Sequence, residues 1–358
     1  MLPADLVARG QQMMTVCNAC RYCEAYCPVF QAMEYRMTFA KGDLTYLANL
    51  CHNCGECLYA CQYAPPHEFG IDVPRKLAEI RLASYEEYCW PQALGAAFRR
   101  QPIVTAAALV AGFAVLLLLA RLTDPRPTPG DFYHVVPHRV MVGLFSAEAL
   151  FVVAALAMAW KRGRAGFVDK GPYPLFRAVC QGLGDAATMR HLHGAGEDCT
   201  ETEGSRGPWR RRFHHFTFYG FALCFASTSV AALYHVVLGW RAPYPFTSLP
   251  VVLGISGGIG LLVGPAGLIA MRTRRDPALT DPGQDGLDVA FSAVLLLTSA
   301  TGLVLMALRD DRSMPALLVI HLASVFALFI GLPYGKFVHG IYRLAALIQF
   351  ADETRGHA

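Results

Sequence analysis

The sequence predicts an all-α protein, with an N-terminal helical ferredoxin-type domain followed by a bundle of six membrane-spanning helices. Three observations carry that expectation. Eight cysteines fall into two C-x2-C-x2-C-x3-C runs within the first 61 residues. Six apolar stretches follow, each near the ~20 residues that cross a bilayer as a helix. Only 16% of residues are charged and the mean hydropathy is +0.34, whereas a soluble domain carries about 25% charged residues.

The paired runs are Cys17, Cys20, Cys23 and Cys27, then Cys51, Cys54, Cys57 and Cys61. Three thiolates two residues apart wrap a tight loop around three irons of a cubane, and the fourth cysteine leaves on a helix to ligate the other cube. This assigns Cys17, Cys20, Cys23 and Cys61 to one 4Fe–4S cluster, and Cys51, Cys54, Cys57 and Cys27 to the second. Structural zinc normally takes two C-x2-C pairs, so a third cysteine at the same spacing in both halves exceeds its needs. Disulfides are disfavoured because MLPADLVARGQQM lacks the apolar core of a secretory signal. Cys27 is followed by Pro28, as the pattern requires, but Cys61 by Gln62. His52 and His67 lie near the clusters, whose eight ligands are already supplied. Cys89, Cys180, Cys199 and Cys224 share no motif spacing and read as free thiols in a reducing compartment.

Residues 1–98 form the polar head. FAKGDLTYLANL and PRKLAEIRLASYEEY have helical apolar spacing, and the prolines of QYAPPHEFGIDVP separate them. Residues 99–345 form the membrane domain, with expected spans Ile103–Ala120, Val140–Trp160, Phe216–Leu238, Leu249–Met271, Val289–Leu308 and Ala316–Gly335; residues 346–358 read as a tail. An even number of spans returns both termini to one side. Lys and Arg at the span ends number thirteen on the head side and six on the far side. The positive-inside rule therefore places the head, both termini and the 161–213 loop in the cytoplasm, the chain being a multi-pass protein of the bacterial inner membrane. A net charge of +4 is too small to point to nucleic acid. GISGGIGLLVG has glycine spacing reminiscent of a dinucleotide fingerprint, but inside an apolar span small residues serve close helix packing.

Ionisable residues inside a membrane are costly and usually functional. Span three opens with His214 and His215 and carries His235 near its far end. Span six carries His321 and His339, eighteen residues and about 27 Å apart on one helical face. Antiparallel spans bring His214 or His215 level with His339, and His235 level with His321, giving two levels with two imidazoles each, the requirement of two six-coordinate b-type haems. With no C-x-x-C-H, covalent haem is excluded. Glu148 could relay protons to a quinone or make a helix contact. His134 and His138 lie at the far interface, and His191 and His193 in the loop could touch a partner or the near haem.

These stretches, above all VCNACRYCEAYCPVF, CQYAPPHEFGIDVP, HLHGAGEDC and RRRFHHFTFYGF, resemble the tricarballylate-utilisation protein B family, also called citrate-utilisation protein B, and the C-terminal half of the fused cobalamin-biosynthesis protein CobZ. The resemblance covers almost the whole chain. The late histidine pair is more distantly similar to the haem-bearing helix of nitrate-reductase gamma subunits. The family resemblance implies a partner: a cytoplasmic FAD-dependent dehydrogenase of tricarballylate or a related tricarboxylate, whose reduced flavin is reoxidised through the clusters and haem into the membrane quinone pool. It also implies that the eight cysteines and His214, His215, His235, His321 and His339 are the cofactor ligands. The chain itself is expected to be an electron-transfer subunit with no substrate-oxidising catalytic residues. Alternatives are a quinol-oxidising subunit feeding a cytoplasmic reductase, and a membrane sensor of redox or iron status.

Overall fold

The structure, a computed structural model, describes residues 2–121, 132–164, 175–192, 199–202 and 205–356. It is helical apart from one short antiparallel hairpin, β1 (Cys199–Thr202) with β2 (Ser205–Gly207).

The head is built from α1 (Ala4–Cys20), α2 (Pro28–Glu34), α3 (Lys41–Leu50), α4 (Glu56–Tyr59), α5 (Val73–Tyr88) and α6 (Gln92–Arg100). Each cysteine loop is set by its neighbours. Helix α1 stops where Arg21 turns left-handed at φ 56° and donates its N–H to Cys17 O. Cys27 is the N-cap of α2, with Pro28 at the first helical position, where a missing N–H costs nothing. Gly55, at φ 87°, caps α4 in a conformation that an L side chain would strain. The apolar faces of α1, α3 and α5 bury Met14, Leu44, Leu47, Leu77 and Ile80 in one core.

That core is completed by the C-terminus. Residues 346–358, expected as a tail, continue α15 (Val338–Gly356), whose Tyr342, Ala346, Leu347 and Phe350 enter the same cluster. Its Glu353 pairs with Arg36 at 2.6 Å and accepts from the Tyr46 hydroxyl at 2.9 Å. The expectation failed because charged residues dilute the apolar stripe, while Ala346, Leu347, Phe350 and Ala351 still recur at helical spacing.

Among the described residues, six helices are long and apolar enough to cross a membrane: α7 over Pro102–Leu119, α9 over His138–Gly163, α11 over Trp209–Leu238, α12 over Leu249–Arg272, α13 over Pro282–Ala307 and α14 over Met314–Gly331. The short α8 (Phe132–Val135) precedes α9, and α10 (Leu175–Thr188) lies in the loop. Five of these six helices begin one to seven residues before the apolar stretch that sequence predicts, and Pro102, Pro250, Pro282 and Pro315 occupy first-turn positions. Large apolar side chains such as Leu150 and Val236 face outward, 72% and 78% exposed, as a lipid-facing surface requires. Helix α11 packs along α12 at backbone distance: a Cβ on Gly257 would meet Cys224 N at 2.7 Å, and one on Gly264 would meet Thr217 N at 2.6 Å. The glycines of GISGGIGLLVG therefore do serve packing.

Span six differs from expectation. It ends at Gly331, and His339 begins a separate helix, α15, after a turn through Leu332–Phe337. Gly331, Pro333 and Gly335 break the helix, so His321 and His339 do not share one continuous helical face.

Removing Glu353 leaves the Arg36 guanidinium, only 10% exposed, without its best partner. Glu353→Ala is expected to cost about 3 kcal/mol and to lower the thermal midpoint of the detergent-purified protein; an unchanged midpoint would show that α15 does not brace the head.

Candidate functional site

The two cysteine runs cross over as the spacing requires. Cys17 lies close enough to Cys61, Cys23 and Cys20 to feel their charge; burial, and then these neighbours in that order, push its thiol up to about 12. Cys27 instead feels Cys54 and Cys51, and Cys57 feels Cys54, Cys27 and Cys51, burial again being the larger cause. The fold therefore gathers Cys17, Cys20, Cys23 and Cys61 in one set, and Cys51, Cys54, Cys57 and Cys27 in the other. Cys57 also feels Cys23, so the sets adjoin. Four gathered sulfurs that repel one another as thiolates are a donor set that would suit a cationic cluster. Among the described residues no three His, Cys, Asp or Glu converge on a point for a single ion. Gln62, where a proline was expected, reaches Cys20 Sγ from its Nε2 at 3.9 Å.

The sets differ in surroundings. The first opens to the outer face of the head, where Tyr22 and Phe69 are 64% and 53% exposed. The second rests on the membrane bundle, its loop held by arginines from four elements. Arg81 of α5 donates to Ala48 O at 3.0 Å and Cys51 O at 2.7 Å. Arg343 of α15 donates to Cys51 O at 2.5 Å and Asn49 O at 3.2 Å. Arg210 of α11 donates to His52 O at 2.9 Å and Asn53 O at 2.7 Å, and Arg275, beyond α12, also reaches Asn53 O. Asn53, left-handed at φ 54°, anchors Leu279 O through its amide at 3.1 Å.

Beneath this loop a cleft encloses about 1100 Å³, part of it open to solvent. Into it point His214 of α11 and His339 of α15, ring centres 6.1 Å apart. His215, left open with His214 by the sequence, stacks on Tyr219 instead, at 5.9 Å. His214 Nδ1 is buried with no hydrogen-bond partner among the described residues. The Nδ1–H of His339 donates to Lys336 O, which fixes the tautomer and leaves Nε2 free as a ligand. Burial, with Lys336 and Arg343 adding, holds the His339 imidazole well below its ordinary value, in the neutral form that binds metal.

The far pair does not meet as expected. His235 stacks on His138 at 4.1 Å and lies 5.5 Å from Tyr133, while His321 contacts Thr301 Oγ1 at 3.1 Å and packs over Gly302. Which way each imidazole faces depends on the rotation of its helix, which neighbours far away in sequence set. Glu148 is buried on α9, with one carboxylate oxygen unpartnered among the described residues. His191 packs beside His52 and close to Asp185; His134 is exposed; His193 lies outside the described residues. Cys224 packs against Gly257.

Such a chain is a helical protein with a cysteine-rich head and, among the described residues, six helices long and apolar enough to cross a membrane. Residues 10–87 match the family described as citrate utilization protein B Fer4-like domain, and residues 97–358 match citrate utilization protein B. A citrate utilization protein B of Escherichia coli is 48% identical over 354 residues, covering 97% of this chain and 93% of the relative. The chain belongs to the citrate utilization protein B family. No solved structure matches it.

Arg343 places a cation against the carbonyl of a second-set cysteine. Arg343→Met should lower the reduction potential of that cluster by roughly 30–60 mV, since a one-electron couple shifts 59 mV per tenfold change. Potentiometric titration followed by electron paramagnetic resonance checks this, and an unshifted potential would contradict it.

Proposed function

We propose that this protein takes electrons from the reduced flavin of a cytoplasmic tricarboxylate dehydrogenase and delivers them to membrane quinone. Bound in the two cysteine sets and between His214 and His339, two 4Fe–4S clusters and a b-type haem supply single-electron transfer between a two-electron donor and a two-electron acceptor. The observation that carries this reading is the facing of His214 and His339 directly beneath the arginine-held second cysteine set. The ring centres stand 6.1 Å apart, a spacing at which the two imidazoles would hold a haem between them.

The chain's own groups divide the work. The eight cysteines hold the clusters. His214 and His339 would hold a haem through their imidazole nitrogens, and Arg210, Arg272, Arg275 and Arg343 around the same cleft would supply the cations that its carboxylate side arms need. The exposed Tyr22 and Phe69 beside the first set give a partner an apolar contact close to its entry point. The family's name concerns citrate use, which supports a tricarboxylate as the partner's substrate. The charge count at the span ends supports a cytoplasmic head.

The test is a reduced-minus-oxidised optical spectrum of the purified protein and its histidine variants. His214→Ala and His339→Ala should each lose the sharp b-type bands, whereas His215→Ala should keep them and all three should keep the broad cluster absorbance. Bands that vanish in His215→Ala and persist in His214→Ala would overturn the axial assignment. Absence of any such band in the native protein would remove the haem.

A further inference from the structure

Helix α10 has two apolar faces, and the fold covers one of them. Ala178, Gly182 and Asp185 are buried on the side that packs on α15. A Cβ on Gly182 would meet Ile348 Cγ1 at 2.7 Å and Ile348 N at 3.0 Å, and Gln181 beside it accepts from Arg355 of α15 at 3.3 Å. At 3.6 residues per turn, Phe176, Cys180, Leu183 and Ala187 fall within about 60° of one another on the opposite side. Phe176 and Leu183 are 76% and 49% exposed, and Cys180 is exposed beside them. Apolar side chains scattered singly over a surface need no explanation. A stripe at helical spacing, on a helix whose other side is already packed, marks an interaction surface.

The stripe runs into the outward-facing surface of the long apolar helices. The Tyr219 hydroxyl of α11 donates to Ala187 O at 2.9 Å, which ties the last turn of α10 to the head-side end of that helix. Trp209, Arg212, Phe216 and Tyr219 lie within about 80° on one side of α11, and all four are exposed. The Arg212 guanidinium sits 5.1 Å over the Trp209 ring. Aromatic rings at the end of an apolar helix form the belt found where a span leaves the hydrocarbon. The charges suit the same setting. Phe176, Arg177, Cys180 and Arg355 line one open depression. The exposed side of α10 carries no carboxylate among the described residues, since its one acid, Asp185, is buried.

We propose that α10 lies in the head-side surface of the bilayer as an interfacial helix. Phe176, Cys180 and Leu183 sit at the boundary between headgroups and acyl chains, and Arg177, Arg212 and Arg355 meet the phosphates of anionic lipid. The inference rests on the six long helices crossing a membrane and is independent of what the cysteines and histidines hold. A helix of this kind sinks its apolar side about 5–10 Å into the headgroup boundary, and nearby guanidinium groups strengthen the hold on anionic lipid. The placement bears on the histidine cleft. Helix α10 packs along α15, which carries His339 and Arg343, so lipid that holds α10 also sets the height of that helix over the bilayer.

The test uses the full-length purified protein in lipid nanodiscs. A small fluorophore is attached to Cys180 in a chain carrying Cys199→Ala and Cys224→Ala, and peptide mass confirms the labelled position. The same label at Met37→Cys, a head position that is 95% exposed, serves as the aqueous reference in a chain that also carries Cys180→Ala. Lipid brominated high on one acyl chain should quench the Cys180 label about twofold or more, and aqueous iodide should quench it no more than about a quarter as strongly as the reference, as a depth of about 5–10 Å requires. Adding anionic phosphatidylglycerol should strengthen the bromolipid quenching, and Arg177→Glu should reduce that gain. Iodide quenching equal to the reference would put the face in water, as a docking face for a soluble protein requires, and would overturn the proposal. A label that neither quencher reaches would show the face covered by protein, such as a second copy of the chain, and would overturn it equally. Bromolipid quenching that ignores phosphatidylglycerol would overturn the assignment to anionic lipid. Phe176→Cys, labelled in place of Cys180, reads the same face if the first labelled chain does not fold.

Discussion

The structure depends on one constraint: a run of buried backbone carbonyls at the end of α3 and in the loop after it, residues 48–53, is held by cations from α5, α11, α15 and the turn after α12. Arg81, Arg210, Arg275 and Arg343 each donate to a carbonyl of that loop. A carbonyl buried without a donor costs a full desolvation penalty, and a charged donor makes one of the stronger hydrogen bonds. Those of Arg81 and Arg343 brace the second cysteine set within the head, and those of Arg210 and Arg275 tie it to the helix bundle. They also concentrate positive charge where electrons would reside, which favours the reduced state of whatever the cysteines hold.

The head and the membrane domain are consequently one assembly in the chain's own terms. Helix α15 returns from the membrane side to complete the head's core through Tyr342, Leu347 and Phe350, and Glu353 ties it to Arg36 and Tyr46. The same helix carries His339 at its start and Arg343 one turn later, so the imidazole of the cleft and the cation of the cysteine loop are fixed relative to each other by helical geometry. Placing both on one short rigid element is what holds a cofactor position to better than loop precision.

Much of this was legible in the residue order. The cysteine spacing predicts the crossover of Cys27 and Cys61, and the structure brings those sets together. Apolar length predicts all six spans, and the glycines of α12 were readable as a packing face. What failed has a common cause. Whether His214 or His215 turns inward, whether His235 meets His321 or His138, and what Glu353 touches depend on the rotation of one helix against another, and that is set by neighbours far away in sequence. The head-side arginines were read only as markers of membrane side. Nothing in a charge count reveals that Arg210 and Arg343 spend their donors on the carbonyls of a loop about 160 and 290 residues earlier.

The claim on which the rest stands is that the eight cysteines hold two adjoining cubanes above a bis-imidazole site. An electron paramagnetic resonance spectrum of the fully reduced, purified protein addresses it most directly. Two neighbouring reduced 4Fe–4S clusters are expected to give a broadened signal with features of spin–spin interaction, and partial reduction should simplify it to that of one cluster. An isolated single-cluster signal at every stage of reduction, or no cluster signal with zinc in the metal analysis, would contradict the account.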